Sequence, residues 1–317
     1  MKGGVTLFRG TGAAARRYLE SDRSTADDYY LEGGTVLAEF TMTDASGEVV
    51  AERSLSTEKY AAWVDWIDPL TGTSMGTPRL PGGGRRGSPR FAEMVVNTPK
   101  SLSIAAALHS KVSDALDVAQ HDAATEIRRW LAQHSVTRVG PRGLQEVVPV
   151  EGLHSVAVLH RTSRAGDPHR HTHFQIGTRV RAAGRWRALD TAALFKQQGA
   201  IRALGTAVIA AHPHLTAVLD AHGLTLDPVT GEVIELEPYN ALMSKRAAQV
   251  ERNLARFTAE WENAHPGQEP GPRRGPGHLG ARLGTGDRQG EITNPQPSAA
   301  SGETGLRLRR RVMIGWP

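Results

Sequence analysis

The chain has 317 residues, with 39% hydrophobic side chains, no cysteine and a formal charge of +5. That length holds one large domain or two small ones. The lack of cysteine excludes disulfides, thiolate zinc sites and cysteine nucleophiles, and no run of about 18 apolar residues offers a membrane span.

The opening "MKGGVTLFRGTGAAARR" has no apolar h-region and reads as no secretory signal. Within it, "GGVTLFRGT" alternates like a strand, and "GAAARRYLES" favours a short helix or turn that carries Tyr18. "DRSTADDYYLEGG" reads as a loop. Residues 35–53 read as two strands joined by the turn "DASGE". Residues 67–91, rich in Gly, Pro and Arg, form a long loop, of a length that usually carries function. "AEMVV" is a short strand and "NTPKS" a turn, with Ser101 or Ser103 as cap of the next helix. From Ser113 to His134 the apolar positions recur at helical spacing. "LHSVAVLH" (153–160) and "HTHFQIGTRVRA" (171–182) read as strands joined by a hairpin loop. One long helix, capped by Asp190, is expected next, continued by "PHLTAVLDAHG". A small hairpin around "PVTG" follows, then a helix capped by Ser244 and ended by Pro266-Gly267. The chain divides accordingly into a body, 1–265, and a low-complexity basic tail, 266–317, expected to be disordered. Eight arginines against four acidic residues lie in that tail, so the body carries only +1. Any nucleic-acid surface on the body is therefore a local patch.

Three histidines fall within five residues at His169, His171 and His173. On a strand, residues two apart share a face, so His171 and His173 project together, and His160 on the preceding strand faces them across the hairpin. Neutral imidazole is a common metal ligand, and a three-histidine site keeps coordination positions open for substrate or water. His169 lies in the loop and is expected to meet phosphate or solvent; His212 and His214 read as ordinary surface residues. Tyr18, Tyr29 and Tyr30 are three of five tyrosines. A phenol attacks phosphate only when deprotonated by a base or a positive field, and a metal gripping the phosphate stabilises the charge that develops.

The run "HRTSRAGDPHRHTHFQI" with "GRWRALD" after it resembles the MobF conjugative relaxases, HUH-type single-strand DNA endonucleases and transesterases. "NTPKSLSIAAAL" and "RRYLESDRSTADDYY" are similar to further segments of that family, and the likeness runs in order over roughly residues 1–260. The resemblance implies an α+β fold, an antiparallel sheet presenting the His-X-His metal face with helices on the other side. It implies that Tyr18 is the primary nucleophile, forming a 5′-phosphotyrosine. Tyr29 matches the family's second tyrosine, and Tyr30, beside it, is an alternative. His160, His171 and His173 hold a divalent metal. Glu93 stands in the place of an aspartate that helps activate the tyrosine. Lys100, Ser101 and Arg164 match segments near the DNA, Asp167 the turn between the histidine strands.

Arg79, Arg85, Arg86 and Arg90 of the long loop, with the basic tail, are candidate phosphate contacts. Three histidines favour Zn, Ni or Cu by the usual affinity order, whereas the resemblance implies Mg or Mn. Leu19 stands where many members have another tyrosine. No G-X-X-X-X-G-K-[ST] loop is present, so no ATP and no helicase domain are expected. Expected partners are single-stranded origin-of-transfer DNA with a hairpin, relaxosome accessory proteins and a type IV coupling protein, without membrane insertion. The expected location is the cytoplasm, with transfer into the recipient cell. Two other readings stand beside this one: a catalytically impaired DNA-binding remnant of a truncated relaxase-helicase, and a cupin-type histidine-metal oxidoreductase. The long helices speak against the all-β cupin fold.

Overall fold

The hairpin that carries the histidines is the centre of a seven-stranded sheet. In the computed structural model, which describes residues 5–22 and 38–264 apart from 83, 142 and 164, strands β7 (Gly152–Thr162) and β8 (Pro168–Ala182) pair antiparallel. On one side β8 pairs with β4 (Phe91–Asn97), and β4 with the edge strand β1 (Thr6–Phe8). On the other side β7 pairs with β2 (Ala38–Asp44), which pairs with β3 (Val49–Leu55). The order is β1-β4-β8-β7-β2-β3, with β9 (Arg185–Ala188) folding back on β8. A separate ribbon joins β5 (Val136–Val139) to β6 (Glu146–Pro149). Both histidine strands are longer than their expected spans, so the connecting turn shrinks to residues 163–167. It is closed by Ser163 N–H donating to Asp167 O at 2.9 Å.

Alternation along the strands divides the sheet into two working faces. One bears Ala92, Met94, Val96, Ala157, Phe174 and Ile176. It packs against Ala124, Ile127 and Leu131 of the long helix α4 (Ser110–His134) and Ile201 of α6 (Gln198–Ala210). The other bears Phe40, Phe91, Val156 and Val158, covered by α1 (Gly12–Asp22) and α2 (Thr57–Val64) through Ala15, Tyr60, Trp63 and Val64. Helices thus lie on both faces, a correction to the one-sided expectation: periodicity shows that a helix has an apolar stripe, not which sheet face it meets. A third cluster joins α3 (Lys100–Leu108), α4, α6 and α7 (Pro213–Ala221).

Several local expectations are revised. The long helix after Asp190 is broken into α5 (Thr191–Lys196), α6 and α7. Asp190 does cap α5, accepting from the N–H groups of Ala192 and Ala193. The break falls at Gln197, whose Nε2 donates to His134 O, the last carbonyl of α4, at 2.9 Å. His212, expected on the surface, caps α7 by accepting from Leu215 N–H at 3.2 Å. Ser101 and Ser103 lie inside α3 rather than capping it; the N-cap is Pro99, with no side-chain bond. Around "PVTG" a single bridge, Leu226 with Val233, replaces the hairpin, and a 3-10 turn follows at Glu237–Tyr239. Helix α8 (Lys245–Ala264) ends the described chain, and Ser244 Oγ before it donates back to Asn240 O. The chain splits into two compact units, Met1–Lys245 and Arg246–Pro317. Among the described residues no helix is long and apolar enough to cross a membrane.

Candidate active site

The site is built where β4, β7 and β8 run side by side. His160 and His171 are direct partners across the hairpin, and His173 is two residues further along β8. Their rings form a triangle, with centroids 5.2 Å apart for His160–His171, 5.0 Å for His160–His173 and 5.2 Å for His171–His173. Imidazoles bound to one ion at about 2.1 Å have centroids roughly 5 Å apart, so the spacing suits a shared metal. His171 Nδ1 lies 2.8 Å from the carbonyl of His169. That carbonyl can only accept, so the proton is on Nδ1 and the lone pair on Nε2. Burial, reinforced by the neighbouring imidazoles, pushes His171 well below its ordinary pKa and keeps it neutral. His169, whose ring was expected to meet phosphate or solvent, is half-buried, and its backbone carbonyl serves the trio. Its own pKa falls to about 4, by burial first and Lys100 second. As the side chains stand, no group of three His, Asp or Glu among the described residues is placed to hold a metal ion. His160 stacks near-parallel on His171, with 17° between planes.

Glu93 enters from β4, paired with Gln175. It is 3% exposed, and its Oε1 lies 3.4 Å from His173 Nδ1. A carboxylate so buried needs partners. Gln175 Nε2 donates to its other oxygen at 3.3 Å, and Tyr60 Oη donates to Gln175 Oε1 at 2.9 Å. Sequence reasoning missed both. Tyr60 sits among Trp63 and Val64 and reads as core, and nothing in the strand pattern marks Gln175.

Tyr18 reaches the trio from α1, its ring edge-on to His173 at 6.3 Å between centroids. Thr11 caps this helix by accepting from Ala14 N–H. Gly12, Ala15 and Tyr18 share one face at three-residue steps. Gly12 is there because α1 meets the end of α2 backbone to backbone. A Cβ at 12 would stand 2.0 Å from Ala61 O. Gly12 N–H donates to Asp65 Oδ1 at 3.0 Å, and Arg90 pairs with the same carboxylate at 3.4 Å. Arg90 is therefore a buried anchor for the helix that carries Tyr18, not the phosphate contact expected from the loop. Arg79, Arg85 and Arg86 are exposed in that loop.

Of the remaining candidates, Ser101 is corrected. It is wholly buried, bonded to the Glu232 carboxylate and accepting from Val233 N–H at 2.6 Å, which leaves no face for DNA. Lys100 Nζ donates to Pro168 O at 2.7 Å, tying α3 to the start of β8. Asp167 is buried in the turn. Tyr29, Tyr30 and Arg164 lie outside the described residues.

A tyrosine, a buried carboxylate and three imidazoles gathered at one sheet face are residue types from which a metal-assisted phosphoryl-transfer site can be built. The family model described as TrwC relaxase matches residues 12–285, and the chain belongs to that family of relaxases, DNA endonucleases that act by transesterification. Solved structures share the fold. A conjugative relaxase TrwC in complex with oriT DNA, copper-bound, is 19% identical, with a TM-score of 0.62 and 93% of each chain covered. A metal-free complex of TrwC with oriT DNA is 18% identical, with a TM-score of 0.58 and the same coverage. TrwC with a 27-mer DNA comprising the recognition hairpin and the cleavage site is 17% identical, with a TM-score of 0.57 and 88% of this chain and 89% of that one covered. No curated protein matches the chain.

Proposed function

We propose that the chain nicks one strand of origin-of-transfer DNA through Tyr18. The observation that carries this reading is the meeting of Tyr18 with His173 of the histidine trio, ring centroids 6.3 Å apart, from a helix tied to Asp65. The phenolic oxygen attacks the scissile phosphorus, the P–O3′ bond breaks, and a 5′-phosphotyrosine and a free 3′-hydroxyl result. Glu93 draws the phenolic proton away, and the leaving 3′-oxygen takes one from water. The phosphodiester is conserved in the protein–DNA bond, so a later 3′-hydroxyl reverses the step without ATP.

His160, His171 and His173 would hold a divalent ion, Mg or Mn by resemblance, whose charge offsets that of the phosphate. Arg85, Arg86 and Arg79 lie on the exposed loop and would meet the DNA backbone, giving salt-sensitive binding. Tyr29 or Tyr30 would serve a second strand transfer, and Arg164 would position DNA. Accessory proteins, a coupling protein, action in the cytoplasm and passage to a recipient cell rest on family membership alone.

The test is covalent trapping. The full chain is incubated with a random single-stranded oligonucleotide pool and Mn²⁺, denatured, and examined for DNA that travels with protein. An adduct lost in Tyr18→Phe and in His171→Ala supports the reading, and sequencing the trapped ends gives the nick site. Salt-sensitive binding without any adduct replaces it with a DNA-binding remnant.

A further inference from the structure

Tyr60 and Gln175 are the polar side chains of the site's interior that the reaction does not itself require. Tyr60 is 1% exposed and Gln175 0%. Tyr60 comes from α2, in the aromatic cluster with Trp63 and Phe91. Apolar side chains of the same shape would replace the Tyr60–Gln175 contact at little cost but leave the buried Glu93 carboxylate without its amide donor, so the polarity of the pair serves Glu93. The direction of the bonds is settled by chemistry. Burial raises the Tyr60 phenol well above its ordinary pKa, so it remains a donor. Gln175 must then offer Oε1 to Tyr60 and Nε2 to Glu93; the flipped amide would set a carbonyl against a carboxylate. Glu93 also has one more torsion to fix than the aspartate that the family resemblance places there, and fixing it costs entropy.

We propose that Tyr60 and Gln175 are positioning residues, a two-member relay that pins Glu93 so that its other oxygen faces His173 Nδ1 and holds the tautomer with its lone pair on Nε2. The relay rests on the reading of Glu93 and His173 as site residues. It offsets the longer arm of Glu93: one oxygen is tethered from behind, and the other is presented at a fixed distance. Groups that orient a metal-binding histidine in this way commonly alter affinity or rate by about 10- to 100-fold when removed.

The experiment uses Tyr60→Phe and Gln175→Met, each alone and combined with Glu93→Gln, in the full chain. The activity-independent readout is the ¹⁵N spectrum of the His173 ring at pH 8 without metal. A single Nδ1-protonated tautomer in the parent that becomes a mixture in both variants supports the relay; an unchanged tautomer in both overturns it. The second readout is the single-turnover rate of adduct formation at saturating DNA. Each variant is expected to lose about tenfold in rate with an unchanged DNA Kd, and to lose nothing further in the Glu93→Gln background. Additive losses mean that the pair acts only on packing and overturn the proposal. Tautomer mixing in a protein whose parent forms no adduct leaves the relay standing and removes the transesterase reading. Adduct formation with an unchanged tautomer does the reverse.

Discussion

Phe174 and Gln175 are neighbours on β8 that belong to different worlds. Phe174 faces α4 in an all-apolar cluster. Gln175 faces α2 inside a hydrogen-bonded line from Tyr60 to Glu93, whose other oxygen lies 3.4 Å from His173 Nδ1. The strand's two-residue period lets one segment serve both. The α4 face supplies burial, which is non-directional and tolerant of detail; the α1–α2 face spends its interior on oriented polar groups, each costly if left unpaired.

The sharpest break of this comparison is chemical. Tyr18→Phe is expected to abolish the covalent adduct entirely while shifting Tm by no more than about 2 °C, because only a hydroxyl is lost; gel analysis and a melting curve check both. Next in size, Phe174→Ala should cost about 3–5 kcal/mol in urea unfolding, whereas the double variant Tyr60→Phe/Gln175→Met, which also takes the amide donor from the buried Glu93 carboxylate, should cost about 1–3 kcal/mol. A large loss in the double variant would mean that the polar line holds the fold as well as the site.

His154, at the other end of the site's face, gives a pH effect. Its ring lies edge-on to Phe40 and Trp186, and both ring nitrogens are buried without a hydrogen-bond partner. Burial lowers its pKa to about 4. The unfolded chain, with an ordinary histidine near 6.5, binds the proton first. Stability is therefore full above pH 6.5 and is lost as pH falls towards 4, by about 3 kcal/mol in all. His154→Gln should flatten urea midpoints over that window; an unchanged slope would assign the acid sensitivity elsewhere. The smallest effect is expected at the surface. Arg85→Ala/Arg86→Ala should weaken binding of single-stranded DNA a few-fold at 0.1 M salt and reduce the log–log salt slope by about 1.4, or about 0.7 for each phosphate contact removed. A loss of affinity with the slope unchanged would point away from phosphate contacts.

The histidine trio was legible because strand alternation is a strong local signal: His171 and His173 needed only a period of two, and His160 only a hairpin. The helix carrying Tyr18 was legible in the same way. Ser101 and Arg90 were misassigned because sequence shows residue type but not what tertiary structure brings to it, here the Glu232 carboxylate and Asp65. The break at Gln197 was hidden for a like reason, since its partner carbonyl is 63 residues away on α4. Tyr60 lay inside an apolar pattern that gave no sign of its hydroxyl's use.

The strand order has a consequence for how the chain is made. The half-sheets β1–β4 and β2–β3 belong to the first 97 residues, yet they do not pair with each other; β7 and β8 stand between them. Synthesis runs from the N-terminus, so both early halves wait with open edges until residue 182 has emerged, and open edges invite pairing with other chains. The histidine hairpin is thus the keystone of the sheet before it is a site. A nascent chain stalled short of it would carry the helix of Tyr18 but have neither the three imidazoles nor the strands that unite the two halves.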